Sequence, residues 1–214
     1  MKAADFVAAI QKQVGNGYWY GCYVPMIGTE SLLAYKAKQY PAVYTADYVS
    51  RSRKWLGKPV CDCVGLVKGT VWVADFQGRY QKESDLSANG MYATCTVKGA
   101  IATIPEKPGL LVWKDGHVGV YVGGGVVVES RGVDSGVVRT FLKDRPWTNW
   151  AECFLVDYAP VPAEDWQARA QAAEAKAAEL SARIEQELPA LQRTVQGLQA
   201  DREALKAALQ KALA

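Results

Sequence analysis

The sequence predicts an α+β fold in which N-terminal helices pack on an antiparallel sheet. Two observations carry this prediction: the helical spacing of apolar residues in the first part of the chain, and short β-branched runs between residues 110 and 158. Helices and strands that are segregated along a chain favour an antiparallel sheet with helices packed on it. Half of the 214 residues are hydrophobic, so a core of ordinary size can form.

Each predicted element has a local signal in the sequence. The first helix is expected over residues 3–14, where apolar side chains fall on one side: Phe6, Val7, Ile10 and Val14. Further helices are expected over residues 29–38, 45–55 and 63–75. Strands are expected where β-branched residues cluster between turn residues, at about 110–113, 117–122, 126–130, 136–141 and 153–158.

The composition changes abruptly at Pro160-Val161-Pro162, which predicts a domain of residues 1–159 and a linker plus helical tail of residues 160–214. Apolar residues in the tail recur at spacings of three, four and seven, which is typical of a coiled-coil seam: Leu180, Ile184, Leu188, Leu191, Val195, Leu198, Leu205 and Leu209. Self-association through residues 165–214, or packing on a partner, is therefore expected. A helix packed back on its own domain is the alternative. Pro189 is expected to kink or interrupt the helix.

Charge and cysteine usage exclude several classes of function. The net charge of +3, without a Lys/Arg run, argues against nucleic-acid binding, and no stretch of about 18 apolar residues predicts a membrane span. The N-terminus lacks the apolar region of a signal peptide, so the protein is expected to leave the cytosol by another route or to have lost a leader. Five cysteines without a CxxC pair, and a single histidine, predict no zinc site, and no cofactor is expected.

The candidate chemistry rests on Cys63 and on the chain's only histidine, His117. Asp62 is placed to cap the predicted helix, which puts Cys63 in the first turn. Backbone N–H groups and the helix dipole in that turn are expected to lower the pKa of the thiol and to face an oxyanion formed on an attacked carbonyl. A cysteine and an imidazole are the minimal equipment for nucleophilic acyl transfer. The alternative is a buried structural cysteine.

The register of the hairpin around Gly123–Gly125 supplies a third residue. If these glycines form a three-residue loop, Gly119 lies opposite Glu129, and His117 and Glu129 become diagonal neighbours on one face. A carboxylate beside the imidazole would orient it, as the third member of a catalytic triad does. Gly119, which has no side chain, is expected to leave room for substrate. Asp115 is the main competitor for the third role, and a solvated strand residue is the alternative for Glu129.

At these residues the sequence resembles the NlpC/P60 family of bacterial cell-wall cysteine peptidases, which are papain-like in fold. The resemblance covers about residues 1–158. It is carried by the aromatic segment Tyr18-Trp19-Tyr20-Gly21 and by three motifs, Asp62-Cys63-Val64-Gly65-Leu66-Val67, Pro108-Gly109-Leu110-Leu111-Val112-Trp113 and Gly116-His117-Val118-Gly119-Val120-Tyr121-Val122-Gly123. The Cys and His motifs are specific together and weak apart.

The resemblance implies hydrolysis of an amide bond in peptidoglycan stem peptides through a thioester. It implies Cys63 as nucleophile, His117 as general base and Glu129 as the third residue, where the family often has His, Asn or Gln. The expected substrate-binding residues are Tyr18, Tyr20, Cys22, Asp62 and Gly119. Tyr18 matches a family tyrosine near the nucleophile, and Asp62 is expected to contact a substrate amine unless it acts only as a cap.

Several alternatives stay open at the level of sequence. The same chemistry in an amidase would cut the bond between muramic acid and L-alanine, and a wall-binding or assembly module would bind without cutting. A redox or metal function through Cys61-Asp62-Cys63 is a third class. The insertion between Tyr20 and Cys61 resembles that of family members from Gram-positive gut bacteria and their phages. A missing leader together with a coiled-coil tail would fit a phage lysin or a virion-associated lysin.

Overall fold

A computed structural model describes residues 1–159 and 163–213. The chain divides into two units, residues 1–159 and residues 160–214. In the described residues the first unit contains five α-helices: α1 (Ala3–Gln11), α2 (Glu30–Gln39), α3 (Ala46–Ser52), α4 (Cys63–Phe76) and α5 (Ala88–Thr94). It also contains six strands: β1 (Lys98–Ala100), β2 (Leu111–Lys114), β3 (His117–Gly123), β4 (Val126–Ser130), β5 (Val137–Phe141) and β6 (Asn149–Ala151).

The strands form one antiparallel sheet in the order β1-β6-β2-β3-β4-β5. The predicted fold class, helices packed on an antiparallel sheet and followed by a long C-terminal helix, is confirmed. The central strand β3 lies between β2 and β4, and α1 and α4 contact it. The start of β3 is paired with β2, where His117 lies opposite Lys114, and helices pack on one face of the strand.

The valines of β3 and β4 divide between the two faces of the sheet. Val118, Val120 and Val128 belong to the main core with α1 and α4, whereas Val127 lies in a second cluster on the other face, beside Trp147. This division follows from the two-residue period of a strand, which places successive side chains on opposite faces. Helix α4 is buried on all sides over its first ten residues, so it is a central helix rather than an amphipathic surface helix.

A third apolar cluster is built from residues between Trp19 and Val60. Trp19 and Val60 pack in it with Leu33 of α2 and Tyr44 from the turn before α3. The indole N–H of Trp19 donates to the carbonyl of Ser52 at 3.1 Å. The insertion between Tyr20 and Cys61 is thus a packed helical element with its own small core.

The β3–β4 hairpin has a shorter turn than predicted. Tyr121 pairs with Val127 as the predicted register requires, but Gly123 pairs with Val126, which leaves a two-residue turn and a bulge. Gly124 and Gly125 have φ values of +58° and +73°. Both values lie in the left-handed region, which the common two-residue hairpin turn requires at its two central positions. The difference is confined to the turn, so the faces of β3 and β4 are unchanged.

Other element boundaries differ from the prediction. The first helix ends at Gln11 rather than at residue 14, and residues 153–158 form a turn with one isolated bridge instead of a strand. In that turn the N–H of Val156 donates to the carbonyl of Cys153, which replaces ladder pairing. Helix α5 and strands β1 and β6 were not predicted, because each has seven residues or fewer and little periodicity.

The second unit contains the helix α6 (Ala163–Leu213), which is 51 residues long. Of the two effects expected of Pro189, a kink or an interruption, the interruption does not occur: the helix continues through this residue, which removes only one of the many backbone N–H donors. The predicted seam side chains are 48–71% exposed, namely Leu180, Ile184, Leu188, Leu191, Val195, Leu198, Leu205 and Leu209. The Pro160–Pro162 linker lies outside the described residues. None of the helices in the described ranges is apolar over a length that would cross a membrane.

Candidate active site

Cys63 and His117 line the same cleft, which has a volume of about 560 Å³. The cleft lies where the start of α4 meets the start of β3. The other walls come from the aromatic segment and the residues after it, from α2 and its C-terminal end, from α4 and its cap, and from the stretch between α4 and the start of α5. These residues include Tyr18, Tyr20, Gly21, Cys22, Lys36, Tyr40, Asp62, Lys68, Tyr80, Asp85 and Asn89. The structure therefore brings the candidate nucleophile and the sole imidazole to one concave surface.

Asp62 caps helix α4 and fixes the position of Cys63. Its Oδ1 accepts a hydrogen bond from the N–H of Gly65 at 2.6 Å, and its Oδ2 accepts one from the N–H of Gly21 at 2.9 Å. Burial raises the pKa of the carboxyl, and the two backbone N–H bonds counteract that effect. Asp62 is thus the cap that its position predicted, each of its oxygens accepts one backbone N–H, and the residue lines the cleft.

Two glycines let the aromatic segment lie directly against α4. A Cβ on Gly65 would lie 2.0 Å from the carbonyl oxygen of Cys22, and one on Gly69 would lie 2.5 Å from the backbone nitrogen of Val24. The N–H of Asp62 donates to that same Cys22 carbonyl at 2.9 Å. The side chains of the aromatic segment are placed beside Cys63 by this close approach of two backbones.

The environment of the Cys63 thiol contradicts the expected low pKa. Cys63 is 8% exposed, and burial, followed by the negative charge of Asp62, raises the pKa of its thiol to about 12. The N–H groups of Val118, Val64 and Cys63 itself act in the opposite direction and are outweighed. The helix start was predicted correctly, but desolvation dominates over the backbone N–H groups. The Cys63 side chain is therefore a neutral thiol at neutral pH.

His117 is oriented by Glu129. The Nε2 atom of His117 lies 2.8 Å from Oε2 of Glu129, in the diagonal relationship that the predicted register gives. An ionised carboxylate only accepts hydrogen bonds, so Nε2 carries the proton and Nδ1 is the basic nitrogen. Asp115, the competing candidate, is bonded instead to the side chain of Asn89 at 2.7 Å.

Glu129 is held ionised by three donors although it is fully buried. Besides His117, it accepts from Thr140 Oγ1 at 2.8 Å and from Arg145, whose Nε and Nη2 lie 2.7 and 2.9 Å from the two carboxylate oxygens. Burial by itself would raise the pKa of Glu129, but the bonds from His117, Arg145 and Thr140 outweigh it and lower the pKa to about 2. The imidazole therefore faces a fixed negative charge.

The space beside Gly119 is filled, which corrects its predicted role. A Cβ on Gly119 would lie 2.8 Å from Val127 and 3.2 Å from the indole of Trp147. The Trp147 ring is stacked on the His117 ring, with the centroids 5.4 Å apart and the planes 10° apart. Gly119 is needed so that Trp147 can approach β3; it does not line the cleft and does not leave room for substrate.

A second contact fixes the distance between α4 and the Glu129 strand. The hydroxyl of Ser130 donates to the carbonyl of Cys61 at 2.8 Å, and both residues are fully buried. Ser130 follows Glu129 in β4, and Cys61 precedes the helix cap. The strand that orients the imidazole is thereby bonded to the segment that presents the thiol.

The remaining predicted substrate-binding residues lie at the cleft. Tyr18 is half-buried, and burial, then the charges of Cys63 and Asp62, raise the pKa of its hydroxyl, which therefore remains a donor. Tyr20 is 40% exposed at the rim, whereas Cys22 is buried and burial raises the pKa of its thiol to about 12. All three residues line the cleft, as expected.

Sequence analysis missed several residues that surround Cys63 and His117. Thr140 could have been found, because the β4–β5 register places it diagonal to Glu129. Arg145 and Trp147 come from the loop before β6 and have no local signal. Lys36 of α2 is also missed, since a lysine on a short helix is usually solvated.

The cysteines and carboxylates do not form a metal site in the described residues. The five cysteines, all within residues 1–159, are free and buried. No group of three or more potential metal ligands is found within residues 1–159 and 163–213.

Comparisons with known proteins give structural matches only. No protein-family model and no curated protein matches the chain. The NlpC/P60 domain of the peptidoglycan hydrolase SagA matches with 15% identity and a TM-score of 0.38, over 71% of this chain and 98% of that domain. The peptidoglycan hydrolase RipB from Mycobacterium tuberculosis matches with 17% identity and a TM-score of 0.42, over 73% of this chain and 67% of that chain.

NlpC2 from Trichomonas vaginalis matches with 13% identity and a TM-score of 0.41, over 71% of this chain but only 46% of that chain. This chain thus spans less than half of that protein.

Proposed function

We propose that the chain is an NlpC/P60-type cysteine peptidase that hydrolyses an amide bond in the stem peptides of bacterial peptidoglycan. One observation carries the proposal: Cys63 at the start of a buried helix and His117, fixed by an ionised carboxylate, face a common cleft. The Cys and His motifs of the family occur in the same chain and in the same order, which supports the choice of substrate.

The proposed reaction begins with a neutral thiol. As Cys63 Sγ attacks the carbonyl carbon, its proton passes to Nδ1 of His117, and the carbonyl oxygen becomes an oxyanion. The backbone N–H groups of the first turn of α4, together with the Tyr18 hydroxyl, are suited to stabilise that charge. The imidazolium then gives its proton to the leaving amine. The C–N bond breaks, and a thioester remains on Cys63.

Hydrolysis completes the cycle by the same groups. His117 accepts a proton from a water molecule, whose oxygen attacks the thioester carbon. Collapse of the second oxyanion releases the carboxylic acid, and the thiol regains its proton from His117. The Glu129 carboxylate stabilises the imidazolium that forms twice in each cycle, and its full burial makes that stabilisation larger than in water.

The specific bond is proposed to lie within the stem peptide, so the enzyme would act as an endopeptidase. An amidase that cuts between muramic acid and L-alanine would use identical residues. Defined muropeptides distinguish the two activities, because their products differ in mass. Mass spectrometry of the digest should show peptide fragments with a new N-terminus inside the stem; a free complete stem would indicate the amidase.

The Cys63→Ala variant is the control for this digest. If the variant releases the same products, Cys63 is not the nucleophile and the proposal fails. If the wild-type protein releases no product but sediments with purified walls, the alternative of a wall-binding module without catalysis is supported instead.

The tail is proposed to join copies of the protein. From Ile184 to Leu209 the seam follows alternating steps of four and three residues, broken only by Arg202. Each described seam side chain is about half exposed or more in the single chain, so a second copy would bury them. The site of action is proposed to be the bacterial cell wall.

A further inference from the structure

Two buried lysines line the cleft, and only one of them has an ion-pair partner. Lys68 and Lys36 are 7% and 6% exposed. The ammonium of Lys68 is bonded to the carboxylate of Asp85, which also accepts from the hydroxyl of Tyr80. Among the described residues, no carboxylate lies at ion-pair distance from the ammonium of Lys36. A buried charge without a partner is costly and therefore unusual in a protein interior.

The present bonds of Lys36 leave one donor unused. Its Nζ donates to the carbonyl of Gly21 at 2.6 Å and to Oε1 of Gln39 at 3.1 Å. An ammonium has three N–H donors, so one remains for a ligand. The rings of Tyr35 and Tyr40 lie 5.7 and 5.5 Å from the Nζ atom, and they exclude water from part of its surroundings.

The nearby carboxylate of Asp62 does not neutralise Lys36 directly. The backbone of Gly21 lies between them: its N–H donates to Asp62, and its carbonyl accepts from Lys36. Both residues also line the cleft that contains Cys63. The positive charge of Lys36 is thus fixed at the cleft wall by its bond to Gly21. The next residue, Cys22, accepts a hydrogen bond from Asp62 at the start of α4.

We propose that Lys36 binds a carboxylate group of the peptide substrate, so that the cleft selects stem peptides with a free acid over those in which that acid is amidated. This inference rests on the proposed function and specifies its substrate class. A carboxylate would complete the ammonium's hydrogen bonds and neutralise its charge in a site of low dielectric. The amide of the same peptide has the same shape but brings no charge.

The test compares two stem tripeptides that differ only at the glutamate α-carboxyl group, one as the free acid and one as the carboxamide. Binding is measured by isothermal titration to the full-length Cys63→Ala protein, in which the wild-type Lys36 is intact. The free acid should bind about tenfold more tightly or better, as expected for one charge-assisted hydrogen bond. Equal affinities, or the absence of binding by either peptide, would overturn the inference.

Variants at Lys36 distinguish two roles for this lysine: recognition of the substrate carboxylate, and structural support of the turn at Gly21. In the Cys63→Ala background, Lys36→Met should abolish the preference for the acid, and Lys36→Arg should keep part of it. Lys38→Met, on the exposed side of the same helix, is the matched control and should keep all of it. If Lys36→Met weakens the binding of both peptides by the same factor, the lysine only supports the fold and the inference is wrong.

The outcomes also separate this inference from the proposed function. If wild-type protein digests walls while acid and amide peptides bind equally, only the role of Lys36 fails. If the preference is found but walls are not digested, Lys36 recognition stands and the hydrolase proposal fails.

Discussion

The imidazole of His117 and the carboxylate of Glu129 are joined by a contact of 2.8 Å across two neighbouring strands. The contact assigns the proton of the neutral ring to Nε2 and makes Nδ1 the base. Arg145 and Thr140 donate to the same carboxylate. The orientation of the candidate base is therefore determined by a buried polar network rather than by the histidine alone.

The Glu129→Gln substitution tests how much this network contributes to stability. The pKa of Glu129 falls from 4.5 to about 2 on folding, which corresponds to about 3 kcal/mol of free energy of unfolding at neutral pH. Because the folded-state pKa is the lower one, this stabilisation is present above about pH 4.5 and is lost as the pH falls towards 2. Denaturant unfolding at several pH values should show a smaller acid loss for Glu129→Gln than for wild type.

At pH 7 the same variant should be less stable than wild type by a similar amount, since Arg145 loses its charged partner. Glu174→Gln changes an exposed glutamate of α6 and should leave the wild-type pH dependence intact. Parallel acid curves for wild type and Glu129→Gln would contradict the assignment of the buried charge.

The alkylation of Cys63 by iodoacetamide should follow its raised pKa. Because the thiol has a pKa of about 12, the thiolate fraction and the labelling rate should rise about tenfold per pH unit between pH 7 and 9. Asp62→Asn removes the negative charge that raises this pKa, so it should accelerate labelling at any one pH in that range. Site-resolved mass spectrometry distinguishes Cys63 from the other thiols.

Asp47→Asn removes an exposed charge from α3 and should not change the rate at Cys63. A labelling rate that levels off between pH 7 and pH 9 would mean that the thiol pKa is ordinary or low, contrary to the burial argument.

The Gly65→Ala substitution should disrupt the docking of the aromatic segment on α4. Its Cβ would lie 2.0 Å from a backbone carbonyl, which cannot move without displacing the segment. We expect a loss of about 1–3 kcal/mol or more, measured by thermal unfolding with near-UV circular dichroism of the tryptophans. The helical Gly197, whose Cβ would meet nothing within 4 Å, is the matched control. Unchanged melting of Gly65→Ala would refute the tight backbone contact.

The tail interaction is tested by two neighbouring substitutions of the full-length chain. Val195→Asp places a charge in the seam, whereas Gln196→Asp places the same charge beside it on an exposed position. Sedimentation equilibrium should show an oligomer for wild type and for Gln196→Asp, and a shift to monomer for Val195→Asp. A wild-type monomer at micromolar concentration would rule out self-association.

The parts of the site that the sequence predicts correctly depend on local relationships. The cap at Asp62 and the diagonal pair His117 and Glu129 follow from helix-start chemistry and from hairpin register, which involve residues close in sequence. The one-residue error at the Gly123 turn did not change the faces, because a bulge absorbed it.

The missing parts depend on packing between distant segments. Arg145 reaches Glu129 from a loop whose position is set by the sheet as a whole, and Lys36 is buried only because its helix packs with the aromatic segment. The raised pKa of Cys63 has the same origin, since burial by distant residues outweighs the favourable helix start. Residues 153–158 have a strand-like composition, but the turn at Cys153 prevents pairing.

The most direct test of the proposed catalyst is the rate at which soluble stem-peptide fragments are released from purified cell walls by wild type, Cys63→Ala and His117→Ala. Each variant should retain the wild-type melting temperature within a few degrees and lose activity by about a thousandfold or more. Release at the wild-type rate by either folded variant would contradict catalysis by this thiol and imidazole.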